Sequence, residues 1–331
     1  MHDGLLLLLS VIAALALDRL LGEPRRYHPL VGFGYLAAGL ERRLNTALSA
    51  NRHSSRALRM RGGLAWALLV LPLPLLLVLA EAAAGDVGSS WWQQCLYWLL
   101  AIVALYLSVG WQSLREHGQA VAAAFTTDGI ASARQQVARI VSRDTDTLDE
   151  AAVSRATIES MLENGSDAVF APLFWFVLLG PAGAVLYRLA NTLDAMWGYR
   201  TPRLQAFGFC SAKLDDVFNY IPARLTALSY ALLGQTRTAW RCWRQQARHC
   251  ASPNGGPVMC SGAGSLGIEL GGGAHYHGQW QTRARMGCGR AATINDITRS
   301  IQLVDRTVWL WLGLGLAAGL GGWIIAMAVR S

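Results

Sequence analysis

SRATIESMLENGSDAVFAPLF (residues 154–174), YRLANTLDAMWGYR (187–200) and SAKLDDVFNYIPARL (211–225) alternate polar clusters with runs apolar enough to lie in a bilayer. Glu159, Glu163, Asp167, Asp194, Asp215 and Asp216 stand here with Asn164, Asn191, Asn219, several arginines and the chain's only lysine, Lys213. Charges beside hydrocarbon are costly unless paired or used, so this stretch is where chemistry is expected. Its helix-period polar spacing, joined to continuous apolar runs, decides for an all-α protein set in a membrane.

Composition agrees. The 331 residues are 53% hydrophobic and only 15% charged, against about a quarter charged in soluble domains, and mean hydropathy is positive at +0.29. The net charge of +8 is almost all arginine. In a membrane chain such a balance first reports orientation, since basic loops stay on the cytoplasmic side, and no nucleic-acid partner is expected. The six cysteines show no CxxC and no regular framework, so they read as free thiols.

Working outward, clear spans are expected at about 4–21, 62–84, 92–111 and 307–329, with inserted segments at about 168–188 and 221–233. Residues 22–61 carry eight arginines, among them Arg25, Arg26 and Arg52, against two acids and read as cytoplasmic. The connection from Glu81 to Ser90, with Asp86 and no base, reads as external. From Gln112 apolar residues recur at helical spacing, predicting cytoplasmic amphipathic helices. Thr147 with Glu150 forms a capping-box pattern and Gly165 a stop, predicting a helix over about 148–164. Pro172 and Gly180-Pro181 make 168–188 a broken or re-entrant membrane helix. Residues 235–306 read as basic and loop-rich. The whole is one polytopic membrane-embedded domain, 1–331.

Arg155, Glu159, Glu163 and Asp167 recur every four residues, although Gly165 displaces the last from their ridge. Carboxylates so placed suit a hard cation such as Mg²⁺, and a solvated helix face has the same pattern. Arg188, Asn191 and Asp194 fall at i, i+3 and i+6. Lys213, Asp216 and Asn219 repeat that spacing, with Asp215 adjacent and Arg224 beyond. Such clusters bind phosphate through cations and metal through acids, though helix-end ion pairs look alike. GAGSLG (262–267) has dinucleotide-loop spacing but lacks the preceding strand and the later acid. Asn254–Gly256 and Gly271–Gly273 offer backbone amides to an anion or serve as plain connections. His249, Cys250, Cys260, His275, His277 and Cys288 match no standard zinc spacing.

Five longer phrases carry a resemblance: DRLLGEPRRYHPLVGFG (18–34), VSRDTDTLDEAAVSRATIESMLENGSDAVFAPLF (141–174), YRLANTLDAMWGY (187–199), FGFCSAKLDDVFNYIPARLTAL (207–228) and HCASPNGGPVMCSGAGSLGIELGG (249–272). Together they resemble the adenosylcobinamide-phosphate synthases of late corrinoid biosynthesis, over nearly the full chain. ENGSDA (163–168) and GGGAHYHG (271–278) depart from the family's usual phrasing. The resemblance implies a multi-pass enzyme of the bacterial cytoplasmic membrane, its active site facing the cytoplasm. It implies an amide bond made between adenosylcobyric acid and an aminoalcohol phosphate, typically aminopropanol phosphate, with ATP as co-substrate and Mg²⁺ as cofactor. Implied partners are these substrates, membrane lipid and other late corrinoid-pathway membrane enzymes.

On that basis Glu159, Glu163, Asp194, Asp215 and Asp216 are expected at the chemistry, and Glu159, Glu163, Asp194 and Asp216 at Mg²⁺. Arg155, Arg188, Lys213 and Arg224 are expected at phosphates, with Asn164, Asn191 and Asn219 orienting the acyl group. The rival class is a corrinoid-binding, transport or regulatory membrane protein on the same scaffold. A transporter should show symmetric halves and polar residues deep in several spans, which the clear spans lack.

Overall fold

Apolar runs broken by glycine, proline and capping residues divide the chain into helices, with one small sheet late in the sequence. A computed structural model describes residues 2–24, 28–45, 55–85, 90–276 and 278–328, with side chains from residue 4 to residue 319. Arg25, Arg26, Arg52, Asp86, His277 and Val329, used above, lie outside the described residues. In order the elements are α1 (His2–Leu21), α2 (Pro29–Leu44), α3 (Ser55–Val70), α4 (Pro72–Gly85), α5 (Trp91–Ser108), α6 (Trp111–Thr127), α7 (Gly129–Val137) and α8 (Glu150–Gly165). There follow α9 (Ala171–Trp197), α10 (Phe209–Phe218), α11 (Tyr220–Leu232), α12 (Thr236–Gln246), α13 (Gly255–Leu266), β1 (Ile268–Tyr276), β2 (Gln279–Gly287), β3 (Arg290–Ala291) and α14 (Ile294–Ala328). Helix dominates, and among the described residues four helical stretches are long and apolar enough to cross a membrane: Gly4–Leu21, Ser55–Gly85, Trp91–Thr127 and Glu150–Trp197. They contain the expected spans at 4–21, 62–84 and 92–111 and the inserted segment at 168–188. The protein is an all-α polytopic membrane protein carrying a small sheet. The expected last span, from 307, falls within α14.

The chain forms two compact units, unit A from residues 2–110 and 171–219, and unit B from 111–170 and 220–331. In unit A, α9 packs against α4, α5 and α10, and α3 against α2 and α10. Its core is Ala65, Trp66, Val70, Leu189, Leu193, Trp197 and Phe207 with smaller neighbours. Leu64, Leu68, Leu73, Leu75, Leu76 and Leu79 of α3 and α4 are exposed. An outward row of leucines that large is stable against lipid tails, not water. Pro72 has no N–H to continue α3, so the chain bends at Leu71 and restarts, as a proline at a first turn allows. Glu81, expected in an external connection, instead lies within α4, which continues to Gly85.

The break expected around Gly180-Pro181 is present. Leu179 and Gly180 leave helical geometry, Gly180 at φ +61°, a left-handed conformation open to glycine, and the helix resumes at Pro181.

In unit B, α8 is the centre. Ten of its residues are buried, including Val153, Ile158, Met161 and Leu162, against α6, α13, α14 and β1. Its start differs from the capping-box expectation: Asp149 caps it, accepting from the Ala152 N–H at 2.7 Å, and Glu150 opens the first turn. Asp149 wins because its carboxylate reaches an unpaired amide of the first turn and complements the positive helix end. Nor does Gly165 end the helix. A π-turn over Ser166–Phe170 carries the chain on into α9, absorbing one extra residue per turn where a stop was expected. Gly165 is small for packing, not for stopping: a Cβ there would lie 2.5 Å from the Tyr230 hydroxyl and 3.0 Å from Val304.

Helix α11, the segment expected at 221–233, has 13 residues, about 20 Å at 1.5 Å each, short of the roughly 30 Å hydrocarbon core. Ala223, Ala227, Tyr230 and Ala231 are fully buried in unit B, while Ile221, Leu225, Leu228 and Leu232 are exposed. One further expectation is overturned. Residues 235–306 are ordered rather than loop-rich, holding α12, α13, the start of α14 and the sheet β2-β1-β3. β1 and β2 form an antiparallel hairpin, β1 and β3 pair in parallel, and a bulge interrupts the register between Leu270 and Gly272.

Asp296 fastens the foot of α14. It accepts from Arg290 at 2.6 and 2.8 Å, from Arg299 at 2.6 Å, and from the Thr293 N–H and hydroxyl. Burial pushes its pKa up, but the guanidinium and Thr293 hydrogen bonds outweigh burial and hold it below the usual carboxylate range. A depressed folded-state pKa gives stability that is complete above about pH 4, the unfolded value, and lost as pH falls through the folded one. Thermal unfolding of the detergent-solubilised protein should weaken with acid below about pH 4. Asp296→Asn should be less stable at pH 7 and show a shallower acid slope; an unchanged slope would sink this assignment.

Candidate functional site

The expected polar residues divide between the units. Arg155, Glu159, Glu163, Asn164 and Arg224 belong to unit B, and Arg188, Asn191, Asp194, Lys213, Asp215, Asp216 and Asn219 to unit A.

In unit B the α8 ridge divides: Glu159 and Glu163 line one cavity and Arg155 another. Glu159 is 2% exposed, and its carboxylate is fully engaged. Arg143 donates to it, Arg283 donates at 2.7 Å, and the Gly271 N–H donates at 2.8 Å. Gly271 can present that amide because it sits in the β1 bulge at φ +76°, where a Cβ would meet the Ala284 carbonyl at 2.1 Å. Arg283, bound to Glu159, lines two cavities. One, of about 250 Å³, is lined by Arg143, Ser160, Glu163, Asn164 and Tyr276. The other, of about 640 Å³, is lined by Arg155, Arg285, Glu269, Trp280 and the glycines of β1.

Glu163 stands against the start of α13. A Cβ on Gly255 would come within 2.4 Å of its Oε1, so glycine alone lets the helix end approach the carboxylate. Asn164 donates to the Ser160 carbonyl at 2.9 Å and to its hydroxyl at 3.0 Å, which turns the Asn164 carbonyl oxygen away from the helix. Arg224 lies 3.5 Å over the Tyr220 ring and donates to Asn254 Oδ1 at 2.7 Å, so it fixes the turn before α13.

In unit A, Asp215 is gripped by two amides. Asn191 donates to its Oδ1 at 3.1 Å and Asn219 to its Oδ2 at 3.2 Å, while Tyr187 donates to Asn219 at 2.9 Å. Burial pushes the Asp215 pKa up, the two amides pull it down, and neighbouring Asp216 raises it again, leaving it above the ordinary range. Asp215 therefore holds a proton at higher pH than an exposed aspartate. Lys213 pairs with Asp216 at 3.5 Å, an exposed contact worth little to stability. Asp194 lies near enough to feel both carboxylates.

Among the described residues no three of His, Cys, Asp and Glu gather as a metal cage. Mg²⁺ is commonly held by one or two carboxylates with water and phosphate oxygens. Asp194 and Asp216 fit such a role in unit A and Glu163 in unit B. Glu159, its oxygens already taken, fits as the anchor of two arginines. The six cysteines are free, and four of them meet in pairs, Cys242 with Cys288 at 3.4 Å and Cys250 with Cys260 at 3.8 Å. GAGSLG, discounted as a nucleotide loop, lies in α13 and its left-handed cap Gly267.

A family model described as CobD/Cbib protein matches residues 11–304. The chain belongs to the CobD/Cbib family. It is 53% identical to a protein of Chromobacterium violaceum named cobalamin biosynthesis protein CobD, over 93% of this chain and 95% of that one. It is 52% identical to the protein so named in Stutzerimonas stutzeri, over 96% and 99%. The one in Halalkalibacterium halodurans is 35% identical over 96% and 98%. No solved structure matches the chain.

In this CobD/Cbib chain the sequence reading missed Arg143, Arg283 and His28. Arg143 lies in the connection before α8, where no spacing links it to Glu159. Arg283 had a signal: Trp280, Thr282, Ala284 and Met286 alternate with Gln281, Arg283 and Arg285, the period of a strand. His28, 7% exposed, caps α2 by accepting from the Leu30 N–H at 3.1 Å. Burial lowers its pKa, Glu23 raises it and the nearby Arg188 lowers it again, so it is neutral at pH 7.

Proposed function

We propose that this chain acts in late cobalamin biosynthesis, condensing adenosylcobyric acid with aminopropanol phosphate to give adenosylcobinamide phosphate. Full-length identity above 50% to proteins named for cobalamin biosynthesis carries this reading. The polar cavity of α8 and the carboxylate cluster of α9 and α10, set in a membrane fold, supply chemistry that such a reaction needs.

A carboxylate is a poor electrophile. ATP would convert it to an acyl phosphate, releasing ADP; the amine then forms the C–N bond and phosphate leaves. Mg²⁺, when bound, would offset phosphate charge, with Asp194, Asp216 or Glu163 to hold it. The attacking ammonium must first lose a proton, and Glu163 and Asp215 are the candidates to take it. Glu159 keeps Arg143 and Arg283 aimed at the cavity. Arg155, Arg188, Lys213 and Arg224 are assigned to phosphates, and Asn164, Asn191 and Asn219 to orientation. The cytoplasm, where ATP is found, is the side assigned to these groups, and accessibility of single cysteines placed at 190–216 would test it.

The decisive assay uses purified protein in detergent with adenosylcobyric acid, aminopropanol phosphate and Mg-ATP, read by mass spectrometry. The condensed product and ADP are expected together. No product, while a homologous control is active, would remove the ligase reading.

A further inference from the structure

A third cavity in unit B, about 460 Å³, is lined by Arg224, Trp243, Arg244, Arg248, Cys250 and Pro253 with small neighbours, and by no acid. Arg224 is pinned by neutral acceptors only: the Tyr220 carbonyl at 2.8 Å, Asn254 Oδ1 at 2.7 Å and the Pro253 carbonyl at 3.1 Å. Arg248 donates to His249 Nε2 at 3.1 Å. Arg244 and Arg248, on the last turn of α12 and the 3₁₀ turn after it, form no ion pair among the described residues. Three guanidiniums thus share one hollow without an opposing charge, a concentration of positive potential that attracts an anion.

We propose that this cavity is a polyphosphate subsite, binding the di- or triphosphate of a nucleotide. This rests on the ATP-dependent reading above and gives its nucleotide Arg224 together with Arg244 and Arg248, two residues not otherwise used. A phosphate monoester carries at most about two charges and leaves one guanidinium unopposed; a nucleotide's di- or triphosphate, with about three or four, suffices for all three. Guanidinium forks pair phosphate oxygens two at a time, which favours arginine here over lysine. The turn at 251–257 connects this cavity to the reaction site. Its Pro253 and Pro257 form one wall, while its Gly255 abuts Glu163.

Inorganic tripolyphosphate is the probe, titrated calorimetrically into the full chain in neutral detergent. Binding should be tighter than for monophosphate and should weaken as salt rises. Arg244→Gln/Arg248→Gln removes two exposed side chains, so its melting temperature should hold while affinity falls about 10- to 100-fold, one to two charge-assisted contacts. In the coupled assay the same variant should raise KM for ATP and leave KM for aminopropanol phosphate unchanged. Salt-indifferent binding, or equal affinity in the variant, overturns the proposal. So does displacement of tripolyphosphate by equimolar phosphatidylglycerol, which would make this a lipid-headgroup site. Tripolyphosphate binding lost in the variant, in a protein that makes no amide, supports the subsite and sinks only the ligase. Turnover with an unchanged ATP KM does the reverse.

Discussion

Glu159→Ala should destabilise unit B by about 3–5 kcal/mol, the usual cost of removing one partner from a buried ion pair. The carboxylate is buried, and it holds Arg143, Arg283 and the Gly271 amide at once. Without it two guanidiniums face each other in a low-dielectric interior with nothing between them. The Gly271 amide in the bulge also loses its acceptor. Glu159→Gln keeps the shape and one acceptor oxygen but no charge, so its loss should be smaller than alanine's yet clear. Thermal unfolding in detergent reads both, and a melting temperature equal to that of the unsubstituted protein in the alanine variant would refute the anchor role. Glu159 is then a positioning residue: turnover should fall together with stability, and low temperature should restore part of it.

Glu163→Gln should leave insertion and melting temperature intact and lower kcat by about 10²- to 10⁴-fold, the range for loss of a general acid–base group. Glu163 lines the polar cavity, and its Oε1 meets the glycine start of α13, so it is held in place without being buried under arginines. Glutamine preserves size and hydrogen bonding but cannot accept a proton, which separates chemistry from packing. Asp216→Ala in unit A should also abolish turnover without affecting insertion. Unimpaired turnover in both variants would place the reactive carboxylates elsewhere. The contrast with Glu159, one ridge turn away, is the sharper result. One carboxylate should govern stability and the other rate.

Much of the membrane architecture was legible because hydrocarbon leaves a one-dimensional mark: long apolar runs and a Gly180-Pro181 break need no partner to be recognised. The sheet was not. Strand β1 holds three successive glycines, poor strand formers on their own, and is stabilised by pairing with β2 and by the carboxylate of Glu159. The stop assigned to Gly165 failed for a related reason. Glycine serves both as terminator and as the smallest packing residue, and only Tyr230 and Val304 lying against it show which.

By itself the sequence determined the class of this protein and the stock of acids, arginines and amides gathered in residues 154–224, since helical period and hydrophobicity are properties of neighbours along the chain. Only the tertiary structure decided how each is used. Arg143 and Arg283 reach Glu159 across 16 and 124 residues and occupy its carboxylate with guanidinium hydrogen bonds, while Glu163, four residues on in the same cavity, meets the start of α13 instead. The physical reason is that a carboxylate's role depends on which charges stand within a few ångströms of it, and those distances are set by packing between distant segments.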